Sequence, residues 1–137
     1  MQTIPDSNIV LDLISGESVF SVWSRRMLEK CAQQGKLLTN AVVFAESSAT
    51  FAAWQDAAKI FEDLEFVYED IEKDVAHLAG RIHAEYRSKG GQRERTLPDF
   101  FIGAHAVISS SRILTRDVKR YRTYFPDVEV ISPDTHP

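Results

Sequence analysis

Among its 137 residues the chain has a single cysteine, Cys31. No intrachain disulfide can form, and a zinc site built on cysteine thiolates is excluded. No apolar run approaches the ~20 residues that cross a bilayer as a helix. The opening MQTIPDSN has no basic segment leading into a long apolar one, so no secretory signal is read there. A soluble, cytoplasmic protein is the resulting expectation. Neither a GxxxxGK phosphate loop nor a GxGxxG turn occurs, which argues against a nucleotide-dependent enzyme. An excess of basic residues is missing too. Sixteen Lys and Arg stand against 20 Asp and Glu, for a net charge of −4. That balance argues against a protein held on nucleic acid by bulk electrostatics. It leaves open a pocket of carboxylates that awaits cations. Repeats, low-complexity segments and linkers are also lacking.

What is present suffices for one self-supporting domain spanning residues 1–137. Hydrophobic residues make up 44%, with eight Phe and two Trp, and a chain of this length buries about two-thirds of its unfolded surface. Short apolar strands alternate with amphipathic helices. Residues 17–34 place Phe20, Trp23, Met27 and Cys31 on one helical face, and 49–63 do the same with Phe51, Trp54, Ala58 and Phe61. A third helix over 71–88 carries Ile71, Val75, Leu78, Ile82 and Tyr86, and Gly90-Gly91 stops it. The stretch 100–108 is apolar nearly all round, the pattern of a central buried helix. Strand candidates are 37–39, 66–68, 113–115 and 128–131. A first strand precedes Asp6, short or irregular because Pro5 cannot donate a ladder hydrogen bond. Helices between strands imply parallel pairing, hence an α/β three-layer sandwich with a short, mainly parallel sheet between helices. Ligands of such sheets sit beyond the carboxyl ends of the strands, where strand order reverses.

With 20 acids in the chain, position is the only useful filter. Asp6 closes the first strand region in IPDSNIVLDL, and Asp117 follows the strand of ILTRD. Asp99 begins the apolar helix in LPDFFIGAHA, and Glu46 lies among apolar residues in VVFAESSATF. On a parallel sheet all four can converge on one rim. Asp6, Asp99 and Asp117 also stand at helix starts, where Asp caps free N–H groups. For each alone, capping and a functional role are both open. A carboxylate flanked as Glu46 is becomes costly unless paired or metal-bound, and no basic residue is its obvious partner by spacing.

The order DSNIVLDL, VVFAES, LPDFFIGAHA, ILTRD resembles the acidic motifs of PIN-domain nucleases, especially VapC-type toxins of bacterial toxin–antitoxin pairs. The resemblance implies metal ligands at Asp6 and Asp99, with Glu46 and Asp117 completing the acidic ring. Ser7 and Asn8 match the polar pair after the first acid, and Thr115 matches a hydroxyl residue beside the fourth. Lys119 and Arg120 stand where some relatives carry a further acid. An all-carboxylate site suits Mg²⁺ or Mn²⁺. The implied activity is endoribonuclease hydrolysis of RNA by metal-activated water, leaving a 5′-phosphate and a 3′-hydroxyl. The implied partners are RNA, a cognate antitoxin and a second copy of the chain, the last through apolar faces on 17–34 or 49–63. Lys89, Arg93 and Arg95 before Asp99, and Arg116, Lys119, Arg120 and Arg122 around Asp117, are candidate phosphate contacts. Arg116 is favoured because it adjoins Asp117. The alternatives are a housekeeping PIN nuclease of RNA processing and a non-catalytic α/β binding or signalling module. A phospho-acceptor receiver domain, one such module, needs an aspartate closing the strand at 66–68, and none stands there. His105 reads as a hydrogen-bonded core histidine, Cys31 as core, and the acids from Glu69 to Asp74 as a solvated helix start.

Overall fold

The structure is a computed structural model; it describes residues 1–91 and 95–137, so Arg93 lies outside the described residues. Five short strands form the centre: β1 (Thr3–Pro5), β2 (Leu38–Thr39), β3 (Val67–Tyr68), β4 (Arg112–Leu114) and β5 (Val130–Ile131). β4 pairs in parallel with β1 on one side and β5 on the other, and β2 pairs in parallel with β3. A single parallel bridge, Thr3 to Leu37, joins the two groups. The order is therefore β3-β2-β1-β4-β5, all parallel, as the alternating pattern implied.

Pro5 explains why that joint is so thin. Thr3 donates its N–H to Lys36. Two residues on, the next amide facing β2 belongs to Pro5, which has no N–H, so the ladder stops. On the other edge Asp6 N–H still reaches Leu114, at 2.7 Å. Strand β1 is thus anchored to β4 just where its chain turns into the first acid.

Adjacent strand residues serve opposite faces. Ile113 packs in one core cluster with Ile4, Leu38, Val43, Phe61, Phe100 and Ile102. Its neighbour Leu114 packs in the other with Ile9, Met27, Leu28, Cys31 and Leu37. Both faces of the sheet are covered, which makes the three layers. Cys31 is fully buried, in keeping with its reading as core.

Seven helices supply the outer layers: α1 (Ser7–Ser15), α2 (Ser21–Gln34), α3 (Ala41–Ser48), α4 (Trp54–Asp63), α5 (Lys73–Ser88), α6 (Leu97–Ser109) and α7 (Lys119–Arg122). Several expected boundaries shift by one to three residues, and two helix starts shift further. The helix expected over 17–34 starts at Ser21, because Gly16 takes a left-handed φ of 65° and ends α1. The helix expected over 49–63 starts at Trp54, and a separate two-turn helix, α3, precedes it and carries Glu46. Asn40 caps α3 by accepting from Val42 and Val43 N–H. Only Val43 and Ser47 of α3 are buried, too few to leave a periodic apolar signature.

α6 is the central helix, with Phe100, Ile102, Gly103, Ala104, His105 and Ala106 all buried. Gly103 is there for packing. A Cβ at this position would lie 2.3 Å from Phe125 Cε2. Gly103→Ala gains about 1 kcal/mol in helix propensity but overpacks a close contact, at a cost of about 1–3 kcal/mol. The expected net result is a lower midpoint in urea unfolding; an unchanged or higher midpoint would show that the Phe125 ring yields freely.

Candidate active site at the carboxyl edge of the sheet

The chain runs from β1 outward to β2 and β3, then returns to the other side of β1 for β4 and β5. The order reverses between β1 and β4, and the carboxyl ends of the strands at such a point are where open α/β sheets hold their ligands. Asp6 leaves β1 there, and Thr115 and Asp117 leave β4. The first turn of α6 brings Asp99 and α3 brings Glu46, so four distant segments contribute one acid each.

Asp6 lies deepest, fully buried. Its Oδ1 accepts Ser7 N–H at 2.7 Å, and its Oδ2 accepts the Thr115 hydroxyl at 2.9 Å and the Tyr121 hydroxyl at 2.8 Å. The single proton of Ser7 Oγ goes instead to Glu46 Oε1, at 3.0 Å, since Asp6 Oδ1 is 3.4 Å away. Oδ1 therefore keeps capacity for a further donor or a cation. Thr115 is saturated: it donates to Asp6 and accepts from Asn8 Nδ2 and Asp117 N–H, at 3.2 and 3.1 Å. Asn8 Oδ1 in turn accepts Arg116 N–H. The side chains of Ser7, Asn8 and Thr115 form a lattice that fixes the first acid and aims the fourth.

Asp99 is buried at the third position of α6, where its Oδ2 accepts Thr96 N–H in a capping box. Capping and site membership thus coincide in this residue, as they do in Asp6, the N-cap of α1. Asp117 is half-exposed and holds Lys119 N–H. Glu46 is exposed. Asp99 and Glu46 are both pushed above the ordinary carboxylate range, first by loss of water around the charged form, with Asp6 adding repulsion. Hydrogen bonds from Thr96 and Ser7 and the charge of Arg120 oppose the rise without cancelling it.

Arg120 stood among the candidate phosphate contacts, but its place among three of the acids was not foreseen. It follows Asp117 by three residues, a spacing that brings side chains together in a helical turn. Its Nε donates to Asp117 Oδ2 at 3.2 Å, while Nη1 stands 3.8 Å from Asp6 Oδ2 and 3.6 Å from Asp99 Oδ1. Burial works against the guanidinium charge, but Asp6 and Asp99 outweigh it and raise its pKa. Tyr121 was missed. Burial and the Asp6 charge raise its pKa well above the usual tyrosine value, so it stays a neutral donor.

The remaining basic candidates separate. The Arg116 side chain is turned away to Asp12, its Nε 3.1 Å from Oδ2 though not aligned as a hydrogen bond, and it lies over the Phe20 ring. Arg95 donates to the Lys119 carbonyl at 2.8 Å and sits over the rings of Tyr86 and Tyr124. Lys119 is exposed, with Arg122 on the same short helix α7, and Lys89 pairs with Glu85. His105 is a core histidine, as expected. Asn40 Oδ1 is engaged at α3, so its Nδ2 donates to His105 Nδ1, leaving Nε2–H to donate to Glu69 at 2.7 Å. Glu69 is accordingly a histidine partner and departs from the solvated acidic face expected of it. An apolar groove of about 430 Å³ lined by Phe44, Trp54, Phe61, Phe66 and Tyr68 lies elsewhere, and none of the four acids lines it.

The donors suit a hard divalent ion: they are oxygens only, two of them resist ionisation where they stand, and a cationic side chain already sits between three of them. No group of three or more acids or histidines is pre-arranged as a metal site among the described residues. Loading a metal therefore requires Arg120 and the carboxylates to shift. No helix among the described residues is long and apolar enough to cross a membrane.

An open parallel sheet whose strand order reverses beside a set of carboxylates defines an α/β protein with an acidic candidate site. The sequence pattern of the PIN domain matches residues 3–126, and the chain belongs to that family. Among solved structures it is similar to VapBC2 of Rickettsia felis bound to a promoter DNA fragment, at a TM-score of 0.74 and 18% identity over 96% of this chain and 98% of that one. A toxin–antitoxin complex of Klebsiella pneumoniae matches at 0.70 and 23%, over 96% and 97% of the two chains. VapC20 of Mycobacterium tuberculosis, a toxin that cleaves the sarcin–ricin loop, matches at 0.66 and 13%, over 91% and 94%. At these identities the likeness is one of fold. No curated protein matches the chain.

Proposed function

We propose that this chain is a divalent-metal-dependent endoribonuclease and the toxin of a toxin–antitoxin pair. The observation that carries the reading is the meeting of Asp6, Glu46, Asp99 and Asp117, drawn from four separate segments, at the reversal point of the sheet. Asp6 and Asp99 would be the principal ligands of Mg²⁺ or Mn²⁺, with Glu46 and Asp117 completing the set. A bound ion of this type lowers the pKa of a coordinated water and relieves charge on the phosphoryl oxygens. The chain's own part is positional. Thr115, Tyr121 and Ser7 orient Asp6, and the α6 capping box orients Asp99, which limits the rearrangement that metal loading demands of these two acids. The half-exposed Asp117 and exposed Glu46 face the side from which RNA enters. Lys119, exposed two residues after Asp117, is a basic residue free to meet phosphates, whereas Arg95 is engaged by the Lys119 carbonyl and Arg116 is held back by Asp12.

The full-length similarity to chains of toxin–antitoxin complexes supports an antitoxin as protein partner. Val19 just before α2 and Val22 in its first turn, 92% and 81% exposed, and Trp54, 64% exposed on α4, are apolar surface available to that partner or to a second copy. Purified protein incubated with end-labelled RNA is expected to cut it in Mg²⁺ or Mn²⁺ and to leave it intact in EDTA. Cleavage that persists in EDTA would defeat the metal-dependent reading, and no cleavage of total cellular RNA in either metal would defeat the nuclease.

A further inference from the structure

The cation already among the acids is a side chain, and its contacts are uneven. Arg120 makes one aligned hydrogen bond, to Asp117. Toward Asp6 and Asp99 it stands at 3.8 and 3.6 Å, attracted but outside the 2.7–2.9 Å of a charge-assisted hydrogen bond. A guanidinium is too wide to seat all three carboxylates at once. A small dication bound at ~2.1 Å satisfies them better. Among the described residues no other basic side chain forms an ion pair with Asp6, Asp99 or Asp117. Arg120 is also about one-third exposed, so it has somewhere to go.

We propose that Arg120 is an internal counter-ion that holds the cation's place among Asp6, Asp99 and Asp117, and is displaced on metal binding to meet the phosphate of the substrate. This inference rests on the metal-dependent reading above. While the metal is absent, the arginine offsets repulsion among carboxylates that folding forces together. Once the metal enters, the same positive fork is expelled toward solvent, where an anionic backbone arrives and where its planar donors match phosphate oxygens. The fold thereby avoids both an unpaired acidic pocket and an idle arginine. One residue serves two states, and the cost is competition with the metal.

That competition is measurable without any turnover. Mn²⁺ and Mg²⁺ titrated calorimetrically into wild type and R120Q should show the variant binding metal more tightly, by about tenfold, since a like charge has been removed from a partly buried site. R120K, which keeps the charge, should remain close to wild type in metal affinity. In EDTA R120Q should melt below wild type, and saturating Mn²⁺ should abolish the deficit. RNA cleavage by R120Q should nevertheless fall. A purely structural arginine would give a different pattern, with lower melting in both conditions and no gain in metal affinity. In the wild-type protein the Arg120 Nε–H resonance should move during Mg²⁺ titration, a readout that survives if R120Q does not fold. Equal or weaker metal binding by R120Q, or an Nε–H signal unmoved at Mg²⁺ saturation, overturns the exchange while leaving the nuclease reading standing. Failure of wild type to bind either metal overturns both.

Discussion

Asp99→Asn is expected to abolish RNA cleavage while leaving the metal-free protein as heat-stable as wild type, or more so. The activity loss should exceed the roughly 10–100-fold that follows removal of a mere outer partner of a metal ligand. The stability side follows from the sign of the Asp99 shift. Its pKa is raised in the fold, chiefly by burial, above an ordinary value of 3.8. A group raised in this way favours the folded state below its unfolded pKa, and that contribution is lost as pH rises through the folded value. At neutral pH the ionised carboxylate is thus a burden, which a neutral amide escapes. Asparagine can also still accept Thr96 N–H, so the capping box survives with its oxygen. Wild type should gain stability on adding Mg²⁺, about 2.7 kcal/mol when the ion is at 100 times its Kd, and Asp99→Asn should gain much less. Paired melts with and without Mg²⁺, together with a cleavage assay, decide the matter. A large fall in melting temperature in EDTA would mean that the charge of Asp99 serves α6 and not a metal.

The parts of this site differ in how far local sequence betrays them. Asp6 and Asp117 were visible because each ends a short apolar strand, and the parallel arrangement says where strand ends meet. Asp99 was visible because it begins the apolar run of LPDFFIGAHA. Glu46 was singled out by its apolar flanks, although its helix is two turns long and buries only Val43 and Ser47. The partners of Asp6 were harder. Thr115 and Tyr121 stand 109 and 115 residues away in sequence, and their contacts follow from the pairing of β1 with β4. Arg120 shows the limit most clearly. Its spacing from Asp117 was readable, but its proximity to Asp6 and Asp99 requires three elements to be in place. Arg116 was favoured because it adjoins Asp117 in sequence, whereas its ion-pair partner in space is Asp12.

Arg116→Met should therefore destabilise the protein and leave its intrinsic affinity for RNA nearly intact. Asp12 is buried, and its Oδ2 has the Ser24 hydroxyl at 2.7 Å and the Arg116 guanidinium at 3.1 Å. Methionine keeps a stem of similar length but withdraws the guanidinium, which lies over Phe20 and is the only cation paired with Asp12 among the described residues. A buried carboxylate stripped of its partner costs ~3–5 kcal/mol when fully enclosed. Arg116 is itself one-third exposed and water can take up part of the load, so roughly 1–3 kcal/mol is the expected loss. Adding Asp12→Asn should return much of it, because the stranded charge is then gone, and the double-mutant cycle in urea unfolding measures that recovery. Lys119→Met should behave in the opposite way: it has no buried partner to strand, so its effect belongs to RNA binding and to the salt dependence of that binding. A variant at 116 that unfolds at the wild-type urea concentration yet binds RNA weakly would return Arg116 to the substrate and leave Asp12 without its counter-charge role.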